Sequence, residues 1–329
     1  MSASHSYFPK FLLKLLMHTT FTPLDFSMEE PVRHSIKRVN ADTWLIGGLI
    51  ISRSRGYSDT STWFDECDQT SFTITNAPTP LPLSVPIPPD DPTIRLVYDA
   101  GDSSAVWSVG KCAFCKVKLC IGNTTPESAT LAYVRKQQPK FKLPDTLYQV
   151  ESNGRSYLFL SRVPGRTLAE AWPTLNEEWR YHYVTAVVDT CKTLAACKGT
   201  SLGGVDGKHI PESYLIRNGA DEDFNPQNLL KGCQAMGMDC SEFVFYHADL
   251  GPGNIIVEET PGTGEIGLID WELAGFFPRG WIRTKFRISR GLNLPDSVEN
   301  QHWWRSETQK LLGEHGFEEF SRQWQSWWY

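Results

Sequence analysis

Short apolar segments separated by tight turns dominate residues 94–119. Residues 94–98, 105–109 and 113–119 are each long enough for a strand, and the last alternates apolar and polar side chains. Alternation with a period of two residues is typical of a strand that buries one face. The small residues between the segments favour tight turns. The pattern predicts three consecutive antiparallel strands.

A helical spacing of apolar residues replaces this pattern after residue 124. Thr125 suits the N-cap of a helix, and Pro126 suits its first position. Leu131 and Val134 are spaced to share one buried face. The residue before Pro139 is biased away from helical backbone, so the helix is predicted to end there.

A β-hairpin is predicted over the segment that follows. Residues 146–151 and 156–161 flank the dipeptide Asn153-Gly154. Asn-Gly is a strong short-range hairpin signal, because both residues readily adopt positive φ. Together with the preceding elements, this predicts a small lobe of five strands and one helix.

Helical periodicity dominates the chain after Arg162. Residues 174–177 fit a capping box. Behind it, apolar residues recur at three- and four-residue spacing on one helix face: Trp179, Tyr183, Val187, Cys191 and Leu194. A further helix is predicted over residues 227–236. Short strands are predicted at residues 243–246, 255–258 and 266–269. This order predicts an α+β fold with a small β-rich lobe and a larger helical lobe.

The first ninety residues show no clear period. Proline is dense between residues 77 and 92, which excludes a helix or a central strand and predicts an extended linker. The apolar residues 11–17 predict a short amphipathic helix, and a targeting sequence that lacks a clear cleavage site is the alternative. The longest apolar run near the start, residues 45–51, is far shorter than the roughly 20 residues of a membrane span. No association with a membrane is therefore predicted.

These patterns divide the chain into three parts. Residues 1–90 are an N-terminal extension and linker of undefined role, residues 91–162 the small lobe, and residues 163–329 the helical lobe. Hydrophobic residues make up 40% and charged residues 21% of the chain, a balance typical of a folded protein rather than a disordered one.

Charge and cysteine content indicate which partners the protein binds and in which cellular compartment it lies. The net charge is −6 and no basic stretch is present, which argues against binding to nucleic acid. Cys112 and Cys115 have the CxxC spacing of zinc ligands, but a second matching pair is missing, so no zinc site is predicted. Unpaired thiols suit a reducing compartment, and a cytoplasmic location is predicted.

A loop between two predicted strands contains the residues with the strongest chemical signal. His247, Asp249 and Asn254 lie in this loop, and Asp270 stands at the end of a later strand. Each of these residues alone is common in turns. Together they supply what phosphoryl transfer requires, namely a carboxylate for the acceptor hydroxyl and oxygen ligands for Mg²⁺. The combination indicates a phosphotransferase site.

Residues 247–254, with the sequence HADLGPGN, resemble the HGDLxxxN loop of the aminoglycoside phosphotransferase and choline kinase group. Ala248 stands where glycine is more common in that group. Residues 269–272 resemble its IDW/F-E segment, and residues 157–168 resemble its hinge. The resemblance spans residues 94–290 and is greatest to fungal members whose substrate is uncharacterised. It implies a protein-kinase-like fold.

The resemblance also implies ATP and Mg²⁺ as cofactors. Asp249 is then the catalytic base or orients the acceptor, whereas Asn254 and Asp270 hold Mg²⁺. His247 is expected to support the loop through hydrogen bonds rather than to act as the base.

The small lobe is expected to bind the nucleotide. By resemblance, Lys116 grips the ATP phosphates, and Lys118, on the same strand face, is the alternative. Glu127 is expected to pair with this lysine, although its place in the first helical turn equally suits an interaction with the helix dipole.

Two further segments complete the expected nucleotide site. The turn that contains Ser103 and Ser104 lies where kinases keep a glycine-rich loop, and a plain hairpin turn is an equally good interpretation. Backbone groups from Ser161 to Val163 are expected to hold the adenine edge.

The expected function is ATP-dependent transfer of the γ-phosphate to a hydroxyl group of a small molecule. The acidic residues 221–223 would suit a cationic acceptor, although a solvated loop also accounts for them. Two other functions remain open. The atypical turn at residues 101–104 would suit a catalytically weak pseudokinase, and the tryptophan-rich C-terminal region would suit a scaffold that binds a protein.

Overall fold

The computed structural model describes residues 30–329, which form two compact units. The first contains residues 30–121 and 144–162, and the second contains Gly122–Leu143 and Val163–Tyr329. The amphipathic helix predicted over residues 11–17 lies outside the described residues. Within the described range, every helix is too short or too polar to cross a lipid bilayer.

The first unit begins with six strands that form one antiparallel sheet. They are β1 (Ile36–Asn40), β2 (Thr43–Ile46), β3 (Leu49–Arg55), β4 (Trp63–Asp65), β5 (Thr70–Asn76) and β6 (Val85–Pro86). Their order in the sheet is β4-β5-β3-β2-β1-β6. The two-residue strand β6 pairs with β1 at the sheet edge, a position where proline is tolerated.

A second antiparallel sheet of the first unit contains five strands. They are β7 (Ile94–Ala100), β8 (Ser104–Val109), β9 (Ala113–Leu119), β10 (Thr146–Ser152) and β11 (Arg155–Ser161), in the order β10-β11-β9-β8-β7. The predicted three-strand meander and the predicted hairpin are both confirmed. Asn153 and Gly154 have φ values of 51° and 70°, as a tight hairpin turn with two positive φ angles requires.

The two sheets share one hydrophobic core. Trp44 and Phe72 of the first sheet belong to the same buried cluster as Trp107 and Phe159 of the second. The ring of Trp63 stacks on Phe72 at 4.9 Å between centroids and lies 5.8 Å from the ring of Phe159. Full burial of each such side chain contributes about 1.5–3 kcal/mol. The two sheets therefore stabilise each other.

This arrangement differs from the division expected from the sequence. Residues 32–86, interpreted as an extension and linker, supply half of the core of the first unit, and only the segment around residues 77–92 is extended and proline-rich. Residues 122–143, expected in the small lobe, belong to the second unit. In β1 and β3 the buried and exposed positions do not alternate, so these sequences lack the period of two residues that marks a strand with one buried face.

The second unit is mainly helical. Its helices are α1 (Glu127–Lys136), α2 (Leu168–Ala171), α3 (Glu177–Ala195), α4 (Pro226–Ala235), α5 (Arg279–Ile288), α6 (Trp303–Glu314) and α7 (Ser321–Trp328). Its short strands are β12 (Arg166–Thr167), β13 (Lys198–Gly199), β14 (Phe243–His247), β15 (Ile255–Val257), β16 (Ile266–Leu268) and β17 (Ala274–Pro278). They form two sheets, β12-β15-β16 and β13-β14-β17. A β-rich N-terminal region and a helical C-terminal region confirm the predicted fold class.

Two predicted helix caps are wrong by one or two residues. The Thr125 hydroxyl donates to Asp206 Oδ1 at 2.6 Å instead of capping α1, for which Pro126 is the N-cap. At α3 the cap is Asn176, whose side chain accepts from the backbone N–H of Trp179. The predicted capping box at residues 174–177 is therefore not formed.

Candidate functional site

The loop of residues 247–254 is held between two buried strands. β14 before it and β15 after it are buried along their whole length. β15 pairs with β16 so that Ile255 lies opposite Leu268. The backbone N–H of Ile269 donates to the carbonyl oxygen of Asn254 at 3.1 Å. This register places Asn254 beside the end of β16, where Asp270 follows.

His247 ties the two ends of the site together. The backbone N–H of Asp249 donates to Nδ1 of His247 at 3.3 Å, so Nδ1 carries no proton. The proton therefore lies on Nε2, which donates to the carbonyl oxygen of Ile269 at 3.0 Å. Burial lowers the pKa of His247 and favours this neutral form. These contacts are those of a residue that supports the loop.

Asn254 orients the carboxylate of Asp249. Its Nδ2 donates to both the carbonyl oxygen and Oδ2 of Asp249, each at 2.8 Å. The pKa of Asp249 is raised by burial and by the negative charge of Asp270, which together outweigh the opposing charge of Lys285. A carboxylate with a raised pKa is a better proton acceptor than an ordinary one.

Three carboxylates converge at the start of α1 and the end of β16. One oxygen each of Glu127, Asp270 and Glu272 lies within 4.8 Å of the others. The backbone N–H of Trp271 donates to Glu127 Oε1 at 3.1 Å, and Asp270 has a left-handed φ of 63°. An all-oxygen ligand set of this kind fits Mg²⁺ rather than zinc.

The proximity of Glu127 and Glu272 was not predicted from the sequence. Glu127 was expected to pair with a lysine or to interact with the helix dipole, and Glu272 lies two residues after Asp270. The one signal in the sequence is the position of Glu272 two residues after Asp270, which places a second carboxylate near the first. The place of Glu127 depends on how α1 packs against the turn at Trp271, which no local pattern encodes.

The other predicted site residues lie on the second sheet of the first unit. Lys116 and Lys118 share one face of β9, because Cys115 and Val117, which alternate with them along the strand, are buried on the other face. Lys116 lies opposite Val106 of β8 and Leu158 of β11. The choice between the two lysines stays open.

The two serines of the β7–β8 turn have local partners. Ser103 Oγ donates to the carbonyl oxygen of Ala100 at 3.2 Å, and Ser104 is the buried first residue of β8. These contacts are those of a hairpin turn. Binding of phosphate by the backbone N–H groups of the turn stays a prediction.

Ser161 and Val163 belong to different units. Ser161 ends β11, and its Oγ accepts from the backbone N–H of Asp145 at 2.7 Å. Val163 begins the second unit and packs on Gly267, where an added Cβ would come within 2.5 Å of Val163 Cγ1. The structure thus brings together Asp249, Asn254, Asp270 and Glu127 in the second unit. It places Lys116, Ser103, Ser104 and Ser161 in the first.

A second group of possible ligands in the first unit has another explanation. Asp65, Cys67 and Cys112 lie close enough to share an ion. Asp65, however, accepts backbone N–H groups from Cys67 at 3.1 Å, Lys111 at 2.6 Å and Cys112 at 3.1 Å. These bonds anchor the turn between β8 and β9. Three possible ligands also do not complete the tetrahedral set of a structural zinc site.

Part of the chain matches the model of a known protein family. Residues 122–281 match the model of the phosphotransferase enzyme family. No curated protein matches this sequence. Among solved structures, the aminoglycoside phosphotransferase APH(3'')-Id from Streptomyces rimosus ATCC10970 is 15% identical with a TM-score of 0.48, over 70% of this chain and 90% of that chain.

Two further structures are similar at the same level. An aminoglycoside-3'-phosphotransferase of type VIII is 15% identical, with a TM-score of 0.44, over 72% of this chain and 92% of that chain. A streptomycin-ATP-APH(2'')-IIa ternary complex is 12% identical, with a TM-score of 0.43, over 67% of this chain and 76% of that chain. Likeness at this identity does not extend to the substrate.

Proposed function

We propose that this protein transfers the γ-phosphate of ATP to a hydroxyl group of a small molecule. The match of residues 122–281 to the phosphotransferase enzyme family supports this proposal. The observation that supports this most directly is the joint arrangement of Asp249, Asn254 and Asp270. Hydrogen bonds between the loop and the end of β16 hold these three residues in one site.

Asp249 is the group that meets the acceptor hydroxyl. Asn254 already donates to its Oδ2, so Oδ1 is the oxygen that can accept the hydroxyl proton. The raised pKa of Asp249 makes this acceptance more favourable. Proton transfer to a positioned base of this kind contributes about 10²- to 10⁴-fold to the rate.

Asn254, Asp270 and Glu272 are the proposed Mg²⁺ ligands. Both hydrogen bonds from the Asn254 side chain to Asp249 use its amide nitrogen, so its Oδ1 is the atom suited to a cation. Glu127 lies within reach of the same cation. When bound, Mg²⁺ neutralises the negative charge of the transferring phosphate.

The first unit would supply the groups that bind the nucleotide. Lys116, or Lys118 on the same strand face, would contact the ATP phosphates. Backbone N–H groups at Ser103 and Ser104 would face phosphate, and backbone groups at residues 161–163 would hold adenine.

Thermal unfolding in the presence of ATP and Mg²⁺ tests this proposal. A ligand that binds only the folded state raises the melting temperature. We expect a rise that requires Mg²⁺, is lost in Asp270→Asn and is kept in Asp221→Asn, a control at an exposed position. Release of ADP in the presence of hydroxylated acceptors would then show turnover. The absence of any rise at millimolar nucleotide would contradict an ATP-dependent enzyme and favour a scaffold.

A further inference from the structure

Three arginines form a basic cluster at the junction of α5 and α6. Arg287 lies in the last turn of α5, and Arg290 begins the 3-10 turn that follows it. Arg305, in the first turn of α6, donates from Nη1 to the carbonyl oxygen of Ser289 at 2.6 Å. This bond brings the third guanidinium to the segment that connects the other two.

The basic cluster adjoins the loop of Asp249. A Cβ added at Gly251, two residues after Asp249, would lie 3.2 Å from the carbonyl oxygen of Gly291 and 3.3 Å from Leu292 Cα. The backbone after Arg290 is therefore in direct contact with the loop. The indole N–H of Trp304 donates to the carbonyl oxygen of Leu292 at 3.0 Å, which fixes this turn against α6.

The arginines of the basic cluster have no carboxylate partner in the described part of the chain. Among residues 30–329, no carboxylate forms an ion pair with Arg287, Arg290 or Arg305. Burial lowers the pKa of the half-buried Arg305, and the charges of Arg287 and Arg290 lower it further. Like charges held together in this way are unfavourable unless an anion joins them.

Lys285, on α5 like Arg287, differs from the cluster because it is paired with a carboxylate. Its Nζ lies 2.6 Å from both carboxylate oxygens of Glu212, and both side chains are buried. This charge is therefore neutralised inside the fold. The arginines of the cluster are instead accessible, since Arg287 and Arg290 are exposed and Arg305 is half-buried.

We propose that the basic cluster binds a carboxylate or phosphate group of the acceptor, so that the acceptor is a hydroxylated small molecule with negative charge. Guanidinium groups bind both anions with paired hydrogen bonds. The proposal rests on the proposed function, because it assigns the acceptor of the same site. The acidic residues 221–223 are not needed for it. They are exposed, and Asp223 Oδ1 accepts from the backbone N–H of Asn225.

Matched acceptors test the proposal through turnover. Glycerol, glycerate and glycerol 3-phosphate differ in charge but share hydroxyl groups. We expect kcat/KM to be highest for the anionic compounds and to fall about tenfold to a hundredfold in Arg290→Gln, as for loss of a hydrogen bond to a charged group. The KM for ATP should not change, and Arg322→Gln, at an exposed position on α7, should behave as wild type. Preference for neutral or cationic acceptors would overturn the proposal.

Binding of inorganic phosphate tests it without turnover. We expect calorimetry to show binding that is weakened in Arg290→Gln and Arg305→Gln but kept in Lys116→Ala. The reverse pattern would place the anion at the nucleotide site and overturn the proposal. Anion binding at the cluster, without ATP binding or ADP release, would instead contradict only the proposed function. Tighter binding of an oligonucleotide or of phosphatidylserine vesicles through the same arginines would assign the cluster to a macromolecule or membrane and overturn the small-molecule assignment.

Discussion

At the scale of single residues, the surroundings of Asp249 set both its orientation and its affinity for protons. Asn254 fixes one carboxylate oxygen, and burial together with Asp270 raises the pKa. In Asp249→Asn the side chain keeps its size but cannot accept a proton. We expect ADP release to fall about 10²- to 10⁴-fold, while Mg²⁺-dependent ATP binding in thermal unfolding is kept. A loss below about tenfold would argue against a role as base.

His247 leads to a prediction about pH. An unfolded histidine binds a proton below about pH 6.5, but burial lowers the pKa of His247 in the folded protein. The unfolded state therefore binds more protons as pH falls, and stability decreases below that pH. We expect the urea midpoint to fall between about pH 7.5 and 5.5, and to fall less in His247→Gln.

The raised pKa of Asp249 acts in the opposite sense, because at this group the folded state binds more protons than the unfolded state as pH falls. The proteins with His247 and with His247→Gln can both be measured in an Asp249→Asn background, which removes this opposing titration. Equal slopes with and without His247 in that background would contradict the assignment of the neutral tautomer.

The proximity of Asp249, Asn254 and Asp270 was predictable from the sequence, because the three residues belong to one loop and one strand end at fixed spacings. The sequence did not predict that Glu127 would join them. Glu127 reaches Trp271 across 144 residues, and such proximity follows from tertiary packing rather than from spacing along the chain.

At the scale of elements, the hairpin β15–β16 sets the distance between Asn254 and Asp270, and Glu258 organises its turn. The Glu258 carboxylate accepts from the backbone N–H groups of Gly262, Thr263 and Gly264. These bonds lower its pKa to about 2. Its contribution to stability is present above about pH 4.5 and is lost as pH falls through about 2.

We therefore expect Glu258→Gln to lower the melting temperature at pH 6, with a smaller difference from wild type at pH near 3.5. Glu259→Gln, at the exposed neighbouring position, is the matched control and should differ little from wild type at either pH. A difference that stays constant with pH would show that the carboxylate charge does not organise the turn.

Elements were predicted well in type and less well at their ends. The stripe of Tyr183, Val187, Cys191 and Leu194 on α3 is buried as predicted. The cap was misplaced because Thr174 and Asn176 both have suitable side chains, and the path of the chain into the helix decides between them. The strands over residues 36–76 were missed because they become buried only by packing on a second sheet.

At the scale of the whole molecule, the first sixty described residues are part of a core rather than an appendage. Phe72 is completely buried among side chains of both sheets. We expect Phe72→Ala to lower the free energy of unfolding by about 3–5 kcal/mol, measured by urea titration. Leu83→Ala, at a side chain that is 95% exposed, is the control and should have little effect. A loss below about 1 kcal/mol for Phe72→Ala would indicate that the first sheet is dispensable.

The first unit is discontinuous in the chain, because residues 122–143 interrupt it. β9 pairs with β8 on one side and with β11 on the other. During synthesis from the N-terminus, β9 leaves the ribosome well before β11. Until residue 161 has emerged, the backbone of Ala113–Leu119 presents an unpaired edge that can recruit other strands. Translation speed across the interrupting segment thus sets how long the nascent chain is exposed to misassembly.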